Sequence, residues 1–174
     1  MGDIDLEALV RNIPDFPKPG IQFKDITTLL CHGPAFRQVI DTLVERYGGR
    51  QLDTIVGIES RGFIFGAPLA YEFGIGFVPV RKPGKLPAET YQIEYALEYG
   101  TNSLEIHCDA LKQGARVLII DDLLATGGTV AATAALVEQA GGVVEEIAFV
   151  IELSFLGARQ KLEQYPVYSM IQYD

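Results

Sequence analysis

The run Val117-Leu118-Ile119-Ile120-Asp121-Asp122-Leu123-Leu124-Ala125-Thr126-Gly127-Gly128-Thr129 constrains this chain more than any other stretch of it. Val117 to Ile120, four successive apolar residues, suit a strand covered on both faces, and Val130 to Ala140 that follow have helical composition. The acids and the Thr/Gly loop then fall at a strand's carboxyl end, just ahead of a helix. There Gly127 and Gly128 let the backbone close around an anion. The N–H groups of Thr126 to Thr129 can face its oxygens, and the helix dipole adds attraction. Thr126 and Thr129 add hydroxyl donors, while Asp121 and Asp122 can accept hydrogen bonds from a diol such as the 2- and 3-hydroxyls of ribose. A bare Asp-Asp or Gly-Gly reads as a turn and a helix cap. The whole pattern is far rarer, and it reads as a seat for a phosphorylated sugar.

The rest of the composition limits what surrounds that seat. A chain of 174 residues is ordinary for one compact domain and buries roughly 70% of its unfolded surface. No apolar run approaches the roughly 20 residues a membrane helix needs, and the acidic start Asp3-Ile4-Asp5 is unlike a basic targeting segment, so a soluble, cytoplasmic protein is expected. A net charge of -9 opposes binding to nucleic acid or an anionic membrane; any anion site must be local. Cys31 and Cys108 lack CxxC spacing, and no disulfide is expected. Each adjoins a histidine (Cys31-His32, His107-Cys108), yet zinc would need ligands converging from both distant segments.

Along the chain the patterns alternate. Asp3 to Ile13 reads as a short amphipathic helix ended by Pro14, and Pro14 to Gly20 as an ordered irregular segment. Pro34 opens a helix with Phe36, Val39, Ile40, Leu43, Val44 and Tyr47 at helical spacing, closed by Gly48-Gly49. Thr54 to Ile58, Gly76 to Val80, Arg116 to Ile120, Val143 to Glu152 and Val167 to Gln172 read as strands, with a helix over Gly62 to Phe73. This order predicts an α/β fold: a mainly parallel central sheet with helices on both faces, and ligands outside the strands' carboxyl ends. Walker A and G-x-G-x-x-G patterns are absent, against NTPase or dinucleotide binding.

Three further segments fall at that same edge. Arg61, in Gly57-Ile58-Glu59-Ser60-Arg61-Gly62-Phe63, stands at a strand-to-helix junction, where it can grip a diphosphate bidentately or simply pair with Glu59 or Glu72. Arg81, Lys82 and Lys85 place three cations within five positions of an acidic chain; a solvated charge run is the ordinary explanation, and their position favours pyrophosphate. The stretch Pro83 to Ser103, with Gly84, Pro87, Gly100 and Tyr91, Tyr95 and Tyr99, is too long for an ordinary connection. It reads as a mobile cover that keeps water from a reactive glycosyl cation, or as a β-hairpin whose tyrosines pack on the body.

The Asp-Asp and Ala-Thr-Gly-Gly-Thr pattern of Asp121 to Thr129 closely resembles the phosphoribosyl pyrophosphate (PRPP) signature of type I phosphoribosyltransferases. Supporting matches span nearly the whole chain: Phe16-Pro17-Lys18-Pro19-Gly20, Phe23-Lys24-Asp25-Ile26, Glu59 to Phe63, Arg81 to Pro87, and Leu97-Glu98-Tyr99-Gly100. The resemblance implies the fold of that family in one domain over residues 1–174, with an N-terminal hood at about 1–33 and a lid loop at about 83–103. It implies transfer of the phosphoribosyl group of PRPP to adenine, giving AMP and pyrophosphate, by a cytoplasmic homodimer that uses Mg2+ held mainly by PRPP and water.

Carried over by resemblance, Asp121 and Asp122 hold the ribose, and Ala125, Thr126, Gly127, Gly128 and Thr129 hold the 5′-phosphate. Ser60, Arg61, Arg81, Lys82 and Lys85 hold pyrophosphate, some of them across a dimer interface. Glu98 becomes the acid/base at a purine ring nitrogen, with Tyr99 and Arg61 as catalytic partners, while Ile21, Gln22, Phe23, Lys24 and Leu123 enclose the base. The bond between Glu59 and Ser60 is often cis in the family. Two positions depart from the pattern: the family commonly has Arg at Lys24 and an apolar residue at Gln22. Two rivals stand beside this reading. One is a regulator that senses PRPP without catalysis, which would carry a nucleic-acid-binding extension; the other is a related transferase acting on xanthine, hypoxanthine or orotate.

Overall fold

Ile55, Val56, Leu118, Ile119, Ile120, Ile147 and Val150 are shut off from solvent. Strands this apolar on successive positions can sit only in the middle of a sheet covered on both sides. In the computed structural model, which describes residues 3–96 and 100–174, they form that middle. The central sheet comprises β3 (Thr54–Ile58), β4 (Gly76–Val80), β7 (Arg116–Leu124), β8 (Val143–Leu153) and β9 (Val167–Tyr173) in the order β4-β3-β7-β8-β9. Every neighbouring pair is parallel.

Helix α3 (Gly62–Phe73) covers one face. Gly66 lies so close to Ile55, Phe77 and Ile120 that an added Cβ would stand 2.7 Å from the Phe77 ring, so only glycine lets the helix approach this far. The other face is built from Val56, Ile58, Val78, Val117 and Ile119, packed with Val130, Ala134 and Val137 of α4 (Gly128–Gln139). Helices on opposite faces are what the alternating sequence pattern predicts. A hairpin of β5 (Thr90–Ala96) and β6 (Thr101–His107), paired in antiparallel register from Thr90↔His107 to Ala96↔Thr101, extends the same core through Leu104 and Ile106. The segment after Pro83 therefore contains a hairpin, the second of its two sequence readings; Leu97, Glu98 and Tyr99 lie outside the described residues.

By its internal contacts the chain divides into residues 1–47 and 48–174. The first unit contains β1 (Arg11–Pro14), β2 (Gln22–Asp25), α1 (Thr27–Cys31) and α2 (Gly33–Tyr47). The helix expected over Asp3 to Ile13 is not formed: a single 3-10 turn at Glu7–Leu9 gives way to β1, paired antiparallel with β2. Pro14 biases Ile13 to extended backbone, and so short a helix cannot hold out against ladder pairing. The Pro-rich connection has a cis Phe16-Pro17 bond, and Gly20 N–H donates to Asp15 Oδ1 at 2.7 Å.

Asp25 ties this unit together. Its carboxylate accepts from Arg11 Nε at 3.0 Å, Thr27 N–H at 2.9 Å and Thr27 Oγ1 at 2.9 Å. The Arg11 guanidinium first, then the Thr27 donors, hold its pKa down to about 2 from 3.8. A folded pKa below the unfolded one means that the stabilisation is complete above about pH 4 and lost as pH falls towards 2. With Arg11 largely in solvent, screening leaves about 1–2 kcal/mol. Urea unfolding of Asp25→Asn should therefore show that loss at pH 7, and a smaller difference from wild type at pH 3.

Candidate active site

In a parallel sheet all carboxyl ends share one edge, and here that edge opens into a cavity of about 360 Å³. The end of β3 supplies Glu59, Ser60 and Arg61, joined through a cis Glu59-Ser60 peptide. The end of β7 supplies Asp121, Asp122, Leu123 and Leu124, followed by Ala125, Thr126, Gly127 and Thr129 from the loop and the start of α4. Lys82, Val130 and Phe149 complete the lining.

Strand β7 runs past the expected stop at Ile120 to Leu124, so the acids are strand residues: Asp121 stands opposite Phe149 of β8 and Leu124 opposite Glu152. Continued hydrogen bonding to β8 explains the extra length, which the change from apolar to acidic residues conceals. Gly62 lets α3 start against this strand, because a Cβ there would stand 2.6 Å from the Ile120 carbonyl oxygen and 3.1 Å from Asp121 Oδ1. The cradle for the acids is thus shaped by a residue without a side chain.

Charge is unevenly handled in the pair. Burial, then the neighbouring Asp122 charge, raises the pKa of Asp121 well above the ordinary carboxylate value. Burial also raises Asp122, against the pull of Arg61, whose Nε lies 2.5 Å from Asp122 Oδ2. Below them, α4 begins at Gly128 with Gly127 as its cap at φ 81, a left-handed conformation that glycine supplies without strain. The first backbone N–H groups of a helix have no partners within it and point outward at its N-terminus, where an anion can take them up. Thr129 Oγ1 is 3.2 Å from Tyr95 Oη, joining this helix start to the β5–β6 hairpin.

The candidate residues sort into those the cavity gathers and those it does not. Ser60, Arg61, Lys82, Asp121, Asp122, Leu123, Ala125, Thr126, Gly127 and Thr129 line it. Gly128 is in the same loop but is not part of the lining. Arg81 is turned to Glu59, 3.1 Å between Nε and Oε2, and Lys82 N–H donates to the same oxygen at 3.0 Å. Burial opposes the charge of Glu59, but the Lys82 amide and the Arg81 guanidinium outweigh it and lower its pKa. Lys85 is exposed and outside the lining. Ile21, Gln22, Phe23 and Lys24 belong to the first unit, where Phe23 meets Phe16 edge to face at 5.2 Å and Gln22 accepts from Asn12 Nδ2 at 2.8 Å. Glu98 and Tyr99 are outside the described residues. Sequence reading passed over Leu124, Val130 and Phe149; placing the Val143 to Glu152 strand beside β7 was the signal that could have found Phe149.

A family model described as the phosphoribosyl transferase domain matches residues 26–173. The adenine phosphoribosyltransferase of Chloroflexus aurantiacus is 69% identical over 169 residues, 97% of this chain and 98% of that one. Among solved structures, the adenine phosphoribosyltransferase of Thermoanaerobacter pseudethanolicus superposes with a TM-score of 0.94 at 57% identity, over 97% of this chain and 98% of the other. The Saccharomyces cerevisiae enzyme, solved with an imino-altritol bisphosphate and adenine, gives 0.90 at 43% identity over 95% and 96%. The chain belongs to the phosphoribosyltransferase family, among its adenine phosphoribosyltransferases.

Proposed function

We propose that this protein transfers the 5-phosphoribosyl group of PRPP to adenine, releasing pyrophosphate and forming AMP. The observation that carries this reading is a single cavity lined by an acid pair, the N-terminal loop of α4, Arg61 in contact with Asp122, and Lys82. That is one place for ribose hydroxyls, one for the 5′-phosphate and one for pyrophosphate. As the anomeric C–O bond to pyrophosphate breaks, positive charge grows on the ribose and negative charge on the leaving group. Asp121 and Asp122 hold the sugar, the loop N–H groups hold its phosphate, and Arg61, Ser60 and Lys82 receive the departing oxygens. A purine ring nitrogen forms the new bond and gives its proton to Glu98, a contribution of ~10²–10⁴-fold. The segment from Pro83 to Ser103 would serve as the cover over the reacting centre.

Magnesium, as the family resemblance implies, would be held mainly by PRPP and water. When bound it neutralises pyrophosphate charge. Homodimeric assembly, a cytoplasmic location, contributions from Arg81 and Lys85, and base contacts by Ile21 to Lys24 follow from the same resemblance. Among the described residues no helix is long and apolar enough to cross a membrane.

The direct test is release of pyrophosphate from PRPP with a panel of bases. Adenine should be preferred, because its exocyclic amine needs an acceptor, which backbone carbonyls of Pro19 to Lys24 would supply, whereas a 6-oxopurine needs a donor. Equal or better kcat/KM with hypoxanthine or guanine would refute adenine specificity and leave PRPP chemistry standing.

Asp121→Asn and Asp122→Asn should each weaken PRPP binding by about 1.5–3 kcal/mol in calorimetric titration without unfolding the protein. Because both pKa values are raised, wild-type affinity should begin to fall on acidification from neutral pH well before ordinary carboxylates near pH 4 would protonate. Glu98→Gln should slow single-turnover AMP formation more than it weakens PRPP affinity; an unchanged single-turnover rate removes Glu98 from proton transfer.

A further inference from the structure

Behind the phosphate loop, on the side of the C-terminal strand β9, lies a short helical segment, Ala158–Leu162, that nothing in the reaction scheme uses. Its position is fixed twice. Leu162 and Ala158 are buried in the same core as Val130, Ala134 and Val137 of α4. Arg159 forms a two-pronged ion pair with the buried Glu152 of β8, at 2.8 and 2.7 Å, and also donates to the Val167 carbonyl at 3.2 Å. From this anchored segment two contacts reach the loop. Ala158 lies against Gly127, so that a Cβ on Gly127 would be 3.1 Å from the Ala158 carbonyl oxygen and 3.2 Å from its Cβ. Lys161 Nζ donates to the Thr126 carbonyl oxygen at 2.8 Å.

A trans peptide points its C=O and N–H in opposite directions. With the Thr126 carbonyl drawn to Lys161, the N–H of Gly127 must turn the other way, and Thr126 and Gly127 both line the cavity. Gly127, at φ 81, is the residue most free to let this peptide rotate. We infer that Lys161 is a positioning residue for the 5′-phosphate: it holds the Thr126–Gly127 peptide with its N–H towards the phosphate and its carbonyl oxygen, which would repel the anion, away from it. Both ends of the bond are exposed to solvent, so it adds little to stability, and its effect is on orientation. The inference rests on the proposed function, since it takes the ligand of this loop to be a phosphorylated ribose.

The test compares wild type with Lys161→Met, which keeps the aliphatic stem and loses the donor, and with Lys161→Arg, which restores one. Lys161→Met should raise the KM for PRPP and the Kd for AMP about two- to fivefold, the most that one exposed hydrogen bond can bias the orientation of this peptide. The kcat at saturating PRPP, the KM for pyrophosphate in the reverse reaction and the melting temperature should stay close to wild type. Lys161→Arg should recover most of the affinity. Unchanged PRPP and AMP binding in Lys161→Met overturns the inference, as does an equal loss of pyrophosphate affinity, which marks a general effect of charge. Wild-type protein that binds neither PRPP nor AMP overturns the proposed function itself, so the two failures are distinguishable.

Discussion

The parallel ladder around β7 is the constraint on which the site depends. This strand is hydrogen-bonded to β3 on one side and β8 on the other, and Val117 to Ile120 are wholly buried. Parallel pairing puts all carboxyl ends at one edge, so side chains far apart in sequence meet there: Arg61 after β3, Asp121 and Asp122 on β7, Phe149 on β8. Tight packing also fixes their spacing. The absence of a side chain at Gly62 and Gly66 lets α3 seat directly on β7 and β3, and any Cβ there would meet backbone or core side chains. The chemistry sits at the rim, on a support that cannot yield.

In a protein of net charge -9, the proposed polyanion site depends on local forces. At physiological salt, exposed charges beyond about 8–10 Å are largely screened, so scattered surface carboxylates weigh little against donors in direct contact. In the proposed reading those donors would be the N-terminal amides of α4, Lys82 and Arg61, the last of which also contacts Asp122. Several other cations are already committed elsewhere: Arg81 to Glu59, Arg116 to Glu145 and Arg159 to Glu152. Acidic and basic residues are thus sorted into pairs that stiffen the framework and a smaller group that faces the ligand.

Much of this was legible in the sequence because it is local. The five central strands and α2, α3 and α4 follow from apolar runs, helical spacing and Gly/Pro punctuation, and the loop ahead of α4 follows from its own thirteen residues. What failed depends on partners distant in sequence. Arg11 to Ile13 reads as the end of a helix but lies in strand β1 because Gln22 to Asp25 pairs with it. Asp121 to Leu124 extends β7 because β8 lies alongside. Arg81, Lys82 and Lys85 look alike as a charge run, yet only Lys82 reaches the cavity, since Glu59 captures Arg81. Lys161 carries no signal at all, because its role exists only once a segment more than 30 positions away folds back on Thr126.

The acid pair shows how burial serves the ligand. Two adjacent carboxylates of raised pKa are costly in the free protein, and the contact of Arg61 with Asp122 is what keeps that cost tolerable. The same seclusion that makes the charges expensive makes each hydrogen bond to them stronger, since there is little water to compete and little dielectric to screen. A ribose diol arriving at Asp121 and Asp122 brings two hydroxyl donors to groups that need them. Arg61, with its side chain 43% exposed, remains long enough and open enough to reach a diphosphate while staying beside Asp122. In the proposed arrangement sugar hydroxyls would donate to the acids and the diphosphate would pair with Arg61, which would orient PRPP across the site.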